Sequence, residues 1–334
     1  MVCRPLIRFI TERKFISAIA AVWLMTSGVD ALAQEYPNRP ITLISPVTVG
    51  GAVEAATRVW IECARKIGGQ PIVLIPRPGA NGIIAANALK QAHADGYTLM
   101  VAGMSQTTIT PFIYKKQPFD SLKDFHGVAL FGDTPLVLVA NAQSGIKNVQ
   151  DLQDYAHSRP KGMDIGHSGM GQTTHLLSAA AVDKLGINST LIPFSGEAAA
   201  VTALIGGEIQ AMIMVAGTAV QQVSSGRVVP LLTFSSQRLA EFADVPTVVE
   251  ELQDPSLAKS GWIGITAKAG TPQNAINTVE SWTKQCVEDP AFRQSLEQAM
   301  FTPYFVSQSE YPALVGRDAE FWKTWIRRLN ISND

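Results

Sequence analysis

The constraint that shapes this chain most is a repeated alternation, in which short apolar runs of strand length are each followed by a stretch with helical spacing. Ile41-Thr42-Leu43-Ile44 reads as a strand. From Val53 to Ile67 the residues Val53, Ala56, Trp60, Cys63 and Ile67 recur every three or four positions. Glu54, Arg58, Glu62 and Lys66 fall on the opposite face, as an amphipathic surface helix requires. Ile72–Ile75 is a second strand. Arg77-Pro78-Gly79-Ala80-Asn81-Gly82 punctuates it, a helix follows over Ile83–Ala92, and Tyr97–Ala102 is a third strand. This order predicts a mostly parallel sheet covered by helices.

A second set of units follows. Leu136–Ala140 has no polar interruption and suits a strand buried on both faces. Strands are expected at Met163–Gly166, near Leu191, at Ala211–Val215 and at Val229–Phe234. Helices are expected near Val149–Ala156, Thr173–Leu185, Ala198–Ile205 and Thr218–Ser224. The tail adds a strand at Trp262–Thr266 and helices at Asn274–Val287, from Pro290, and at Glu310–Leu329. The last helix carries an apolar stripe of Tyr311, Leu314, Phe321, Trp322, Trp325 and Ile326, expected to pack on the first lobe. Two sets predict an α/β protein of two lobes. The first takes residues 34–139 with 235–334 and the second 140–234, the chain crossing at Leu136–Ala140 and Val229–Phe234. Ligands of open α/β sheets sit beyond the carboxyl ends of strands.

The first 33 residues have the composition of an export signal. Arg4, Arg8, Arg13 and Lys14 precede an apolar run from Phe15 to Met25, and Ala31-Leu32-Ala33 is a small-x-small cleavage pattern. The run is short of the ~20 residues that span a bilayer. The expectation is a mature protein of the periplasm. The whole chain holds 27 Lys and Arg against 28 Asp and Glu, and this near balance excludes the basic footprint of a nucleic-acid binder. Only Cys63 and Cys286 follow the signal; they could pair in an oxidising compartment, but at that separation they give no framework signal and buried free thiols are the expectation. His93, His126, His157, His167 and His175 show no zinc-like spacing, so no metal is expected.

Loops that follow strands and open helices carry the candidate binding residues. Ser45-Pro46-Val47-Thr48-Val49-Gly50-Gly51 brings bare backbone to a helix start, where the dipole favours an anion. Gly166-His167-Ser168-Gly169-Met170-Gly171-Gln172-Thr173-Thr174 has the same design with added hydroxyls, and Pro193-Phe194-Ser195-Gly196 is a third such loop. Gly103-Met104-Ser105-Gln106-Thr107-Thr108 offers hydroxyls and an amide. The candidate ligand contacts are Val47, Thr48, Val49, Gly50, Gly51, Glu54, Ser105, Gln106, Thr107, His167, Ser168, Gly169, Gly171, Thr173, Phe194, Ser195, Gly196 and Met214. One rival needs weighing. Gly166-His167-Ser168-Gly169-Met170 nearly spells the G-x-S-x-G elbow of serine hydrolases, but Met170 breaks its last position. His175, the only His after Ser168, leaves no room for an intervening acid. An enzyme is not expected.

Several motifs in order extend this reading. Tyr36-Pro37-Asn38-Arg39-Pro40-Ile41, Gly50-Gly51, Arg77-Pro78-Gly79-Ala80-Asn81-Gly82, Asp95-Gly96-Tyr97-Thr98-Leu99 and Pro193-Phe194-Ser195-Gly196 come first. Leu204-Ile205-Gly206-Gly207, Asp244-Val245-Pro246-Thr247 and Ala269-Gly270-Thr271-Pro272 follow. Together they closely resemble the extracytoplasmic receptors of tripartite tricarboxylate transporters, the Bug family, along the whole mature chain. The resemblance implies a two-lobed periplasmic binding protein, type II-like, with a cleft between the lobes and a strand hinge. It implies capture of a small carboxylate and delivery to the membrane permease subunits of a tripartite transporter, without catalysis or cofactor. A ligand sensor that feeds a signalling membrane protein is the alternative. Carried over, the family's ligand loops fall on Pro46–Glu54, Gly103–Thr108, Ser168–Thr174 and Pro193–Gly196. Departures are visible at Val47-Thr48-Val49, where the family has an aromatic and two prolines, and at Glu54, where it has Asp. Phe194 and Ser195 replace a Tyr and a basic residue, and Met214-Val215 replace an Asp-Asn-like pair. The wall is thus more apolar, which implies a monocarboxylate or aromatic carboxylate.

Overall fold

The computed structural model describes residues 36–47 and 50–332. The export signal expected over residues 1–33 lies outside them, as do the candidate contacts Thr48 and Val49. The first strand-helix units form where the periodicity places them: β1 (Ile41–Ser45), α1 (Ala52–Gly68), β2 (Ile72–Pro76), α2 (Ile83–Gln91) and β3 (Thr98–Gly103). Ala56 and Trp60 of the apolar stripe are fully buried, as is Ala64 beside them, whereas Val53 and Cys63 are half-buried and Ile67 at the end is exposed. The helix ends on Gly69, which takes a left-handed φ of 68° and returns its N–H to the Arg65 carbonyl. β1 pairs in parallel with both β2 and β3.

After β3 the chain makes a wide turn at Ser105–Ile109 and enters β4 (Phe125–Thr134), a ten-residue strand not anticipated from the sequence. Pro135 separates it from β5 (Leu136–Asn141), all six residues of which are buried. Then come α3 (Val149–His157), β6 (Met163–His167), α4 (Thr173–Leu185), β7 (Ser189–Pro193) and α5 (Glu197–Ile205). β8 (Ala211–Val215), α6 (Ala216–Ser224), β9 (Val228–Thr233) and a short α7 (Val248–Leu252) follow. The tail holds β10 (Gly261–Lys268), α8 (Gln273–Glu288), α9 (Pro290–Gln298), β11 (Thr302–Ser307) and α10 (Tyr311–Arg328).

Two sheets result, in strand orders β11-β4-β10-β3-β1-β2 and β7-β6-β8-β5-β9. Each joins a parallel trio to antiparallel strands, so neither is as uniformly parallel as the alternation suggested. The protein is the expected α/β type with two lobes. β5 and β9 lie wholly in the second sheet, and the chain passes between sheets at Pro135 and again after Thr233.

Two expectations change. Cys63 and Cys286 form a disulfide rather than staying free thiols. The stripe of α1 packs on α8, where Trp60 Nε1 donates to Thr283 Oγ1 at 3.1 Å, and this contact carries the two cysteines together across 223 residues. α10 also reaches further than the first lobe. Trp262 Nε1 donates to its Asp318 at 2.9 Å on one side, while Arg328 pairs with Asp183 of α4 at 2.5 Å on the other. Its buried Trp322 and Trp325 share a core with Leu176 and Leu177 of α4.

A cleft between helix starts

The carboxyl ends of β1 and β3 in the first sheet, and of β6, β7 and β8 in the second, border one cleft. Its cavity of about 470 Å³ is lined by Val47, Gly51, Ala52 and Val53 from the first loop, by Pro78–Gly82 and by Gln106. Ser168, Gly169, Gln172, Phe194, Ser195, Gly196, Glu197 and Val215 close it from the second lobe. A smaller chamber of about 140 Å³ adjoins it, sharing Val47, Val53, Gln106 and Gln172. Val101, Met104, Trp262, Ile263 and Phe301 give this chamber an apolar floor, and Ser105, Thr134 and Thr173 add hydroxyls. No Lys or Arg among the described residues lines either space.

The starts of α1, α4 and α5 carry no side-chain cap. Their first-turn amides are therefore available wherever nothing else takes them. Gly51, the residue before α1, is extended at φ −94° and ψ 167°, and a Cβ built on it meets nothing within 4 Å. Gly50 is spoken for: its N–H donates to the Glu54 carboxylate, which also accepts from Arg58 Nε at 2.8 Å. The Gly50 amide, then the Arg58 guanidinium, hold the Glu54 pKa below the usual carboxylate range. Glu54 thus braces the loop and does not line the cavity.

In the second lobe the loop 168–172 rests on buried imidazoles. His167 and His175 stack with ring centroids 4.3 Å apart. His175 Nδ1 accepts the Gly171 N–H at 3.1 Å, and His167 Nδ1 lies 3.0 Å from the Gly169 carbonyl oxygen. Burial pushes the His175 pKa down to about 4, with the neighbouring His167 adding to the push. Burial likewise lowers His167, against the Gly169 hydrogen bond. Both rings are neutral at neutral pH. Ser168 Oγ bonds Thr174 Oγ1 at 2.7 Å, so the serine of the broken hydrolase pattern is paired with a hydroxyl and not with a base.

Two contacts cross the cleft. Ser105 Oγ lies 2.7 Å from Thr173 Oγ1 and accepts the Thr173 N–H at 3.0 Å, which satisfies one amide at the start of α4. At the mouth, Asn81 donates from Nδ2 to the Met170 carbonyl at 2.7 Å and accepts from Gln172 Nε2 at 2.9 Å. Asn81 does so from a left-handed backbone of φ 50° and ψ 37°, which Asn tolerates better than most residues.

Of the candidate contacts, Val47, Gly51, Ser105, Gln106, Ser168, Gly169, Thr173, Phe194, Ser195 and Gly196 line the two spaces. Thr107 is buried behind, where its carbonyl accepts from Ser121 Oγ. His167 lies beneath the loop, and Gly171 packs against the Ile113 side chain. Met214 is fully buried in the core of the second sheet, and the next residue, Val215, reaches the cavity instead. Period-2 alternation of strand side chains explains that exchange. Gln172, within the carried-over loop Ser168–Thr174, lines both spaces, and Asn81, Glu197 and Trp262 line them without being candidate contacts. Asn81 stands in the turn Arg77–Gly82, and Trp262 read only as a strand residue.

Residues 56–331 match the family described as the tripartite tricarboxylate transporter family receptor. A UPF0065 protein of Bordetella bronchiseptica is 33% identical over 82% of this chain and 80% of its own length. Protein BugT of Bordetella pertussis is 28% identical over 93% of this chain and 96% of its own. The solved structure of a periplasmic transporter superposes with a TM-score of 0.82 at 25% identity, over 90% of this chain and all of that one (100%). MatC from Rhodopseudomonas palustris, solved with bound malate, gives a TM-score of 0.77 at 25% identity, over 87% and 100% of the two chains.

Proposed function

Because the chain belongs to the receptor family of tripartite tricarboxylate transporters, we propose that it grips a small carboxylate between its lobes and delivers it to the membrane permease of such a transporter. The fold is that of the two-lobed periplasmic binding proteins, and the chain is a receptor rather than an enzyme. The observation that carries the reading is a cavity walled from both lobes by uncapped helix starts, with no Lys or Arg among the described residues that line it. Hydrogen bonds to a charged group contribute about 1.5–3 kcal/mol each. Four or five from amides and hydroxyls support a complex near the micromolar range, about −8 kcal/mol, after ordering costs. MatC, a protein of the same fold, was solved with bound malate, a small acid that carries two carboxylates.

The proposed contacts are Gly51 and Val47 with Ser105 and Gln106 on one side, and Ser168, Gly169, Thr173 and Phe194–Gly196 on the other. The apolar floor around Met104, Trp262 and Phe301 favours a monocarboxylate or an aromatic carboxylate over citrate. Export through a signal cleaved after Ala33 belongs to the same reading. So do two lobes, of residues 34–139 with 235–334 and of 140–234, although the second sheet already begins at Leu136, ahead of that boundary, and runs to Thr233. A thermal-shift panel on the mature protein tests the ligand class: aliphatic or aromatic monocarboxylates raise the melting temperature. Stabilisation by citrate alone contradicts it. Delivery is tested by uptake of the identified acid, which requires both this protein and the permease.

A further inference from the structure

Glu197 is the one charged side chain, among the described residues, that lines the cleft cavity. It opens α5 directly after the Gly196 turn, and its two oxygens are both engaged. Oε2 accepts the Val215 N–H at 3.0 Å, and Oε1 accepts the Thr218 hydroxyl at 2.5 Å. These donors belong to the start of α6, beyond the carboxyl end of β8, the kind of position where a ligand's carboxylate would be received. Glu54, the other acid near the cleft, behaves differently: it is off the wall and paired with Arg58. Glu197 shares its wall with no Lys or Arg. Burial pushes its pKa up, and the Thr218 and Val215 hydrogen bonds oppose that push by favouring the anion.

We propose that Glu197 is a specificity-determining residue: the protein's own carboxylate occupies the donor pair beside Val215, so the receptor takes acids with a single carboxylate. This deepens the carboxylate-receptor reading and rests on it. An acid that brought a second carboxylate to this end of the cleft would find the donors filled and a like charge beside it. Both effects are strengthened where water is excluded. The single carboxylate of an accepted ligand goes to the α1 and Ser168-Gly169 loops, and its body faces Trp262, Met104 and Phe301 in the inner chamber. Exclusion by a built-in charge is the repulsive half of specificity.

Calorimetry with matched pairs tests it: heptanoate against heptanedioate, and benzoate against terephthalate. The proteins are the wild type, Glu197→Gln, which removes the charge and keeps the shape, and Glu197→Ala, which also frees both donors. The wild type is expected to bind each monoacid about tenfold or more tighter than its diacid. That ratio shrinks about tenfold in Glu197→Gln and further in Glu197→Ala. Wild-type preference for the diacids, or a ratio that is the same in all three proteins, overturns the role of Glu197 while leaving the receptor reading in place. If no acid of the panel binds any of the three, the carboxylate reading falls and this inference with it.

Discussion

In the first lobe the start of α1 is held by its own helix and by a covalent staple: Glu54 ties back the Gly50 amide, and Cys63 fixes α1 to Cys286 of α8. In the second lobe the start of α4 is likewise held by its own helix, His175 taking the Gly171 amide and Thr174 holding Ser168, but the acceptors are neutral and no disulfide backs them. Its loop lies on two stacked, neutral imidazoles, with Ser105 reaching over from the first lobe. Two helix starts that face one cavity are thus positioned by different chemistry. One is sensitive to reductant, the other to acid. A receptor built this way has one cleft loop fixed by covalent and ionic ties and the other by buried neutral groups, so conditions that loosen one need not loosen the other.

The comparison breaks most visibly at the disulfide. Replacing Cys63 and Cys286 together by Ala should lower the unfolding free energy by about 2–5 kcal/mol, read by denaturant titration. An unchanged midpoint would show that the packing of Trp60 against Thr283 suffices without the bond.

Acid should act on the other lobe. His175 titrates near its ordinary 6.5 when unfolded but at about 4 when folded, so between these values the unfolded chain binds the extra proton. Its stabilising contribution is present above pH 6.5 and drains away as the pH falls towards about 4, roughly 3 kcal/mol in all. Glu54, with its pKa held below 4.5, loses its contribution only as the pH falls below 4.5, so its window begins where that of His175 is nearly spent. His175→Gln should reduce the slope between pH 6.5 and 4 in chemical denaturation, leaving the share carried by His167, and an unchanged slope would remove the His175 imidazole from the account.

The tie between the lobes is weaker. Ser105→Ala strips an acceptor from the buried Thr173 N–H, a loss of about 1–3 kcal/mol visible as a lower melting temperature. Smallest in stability is Gly51→Val. The extended backbone and open space at Gly51 accept a side chain within about 0.5 kcal/mol. Carboxylate binding by the same protein should nevertheless weaken about tenfold or more, because the branched side chain stands where the ligand approaches main-chain donors. Unchanged affinity by calorimetry would take the first loop out of the site.

The difference between the lobes was only partly legible in the sequence. The glycine loops at strand ends and the amphipathic α1 announced themselves through short-range pattern, and the helix and strand periods placed most elements to within a residue or two. β4 did not, since Phe125–Thr134 is buried along nearly its whole length and interrupted by Gly127, Gly132 and Asp133, which leaves no period to read. The disulfide joins residues 223 apart, and nothing local to Cys63 encodes that α1 will lie on α8. Met214 and Val215 exchanged roles because a strand's alternation fixes two faces without saying which one meets the cleft. Glu197 carried no signal in the sequence, standing between the Gly196 turn and the helix expected from Ala198, and only the fold brings Val215 and Thr218 to its two oxygens.

A crystal structure of the mature protein grown with benzoate would test the central claim most directly. The account predicts its carboxylate within hydrogen-bonding distance of main-chain N–H groups at the start of α1 and at Ser168-Gly169, with the ring towards Trp262. A carboxylate bound elsewhere, or held by a Lys or Arg side chain, would contradict it.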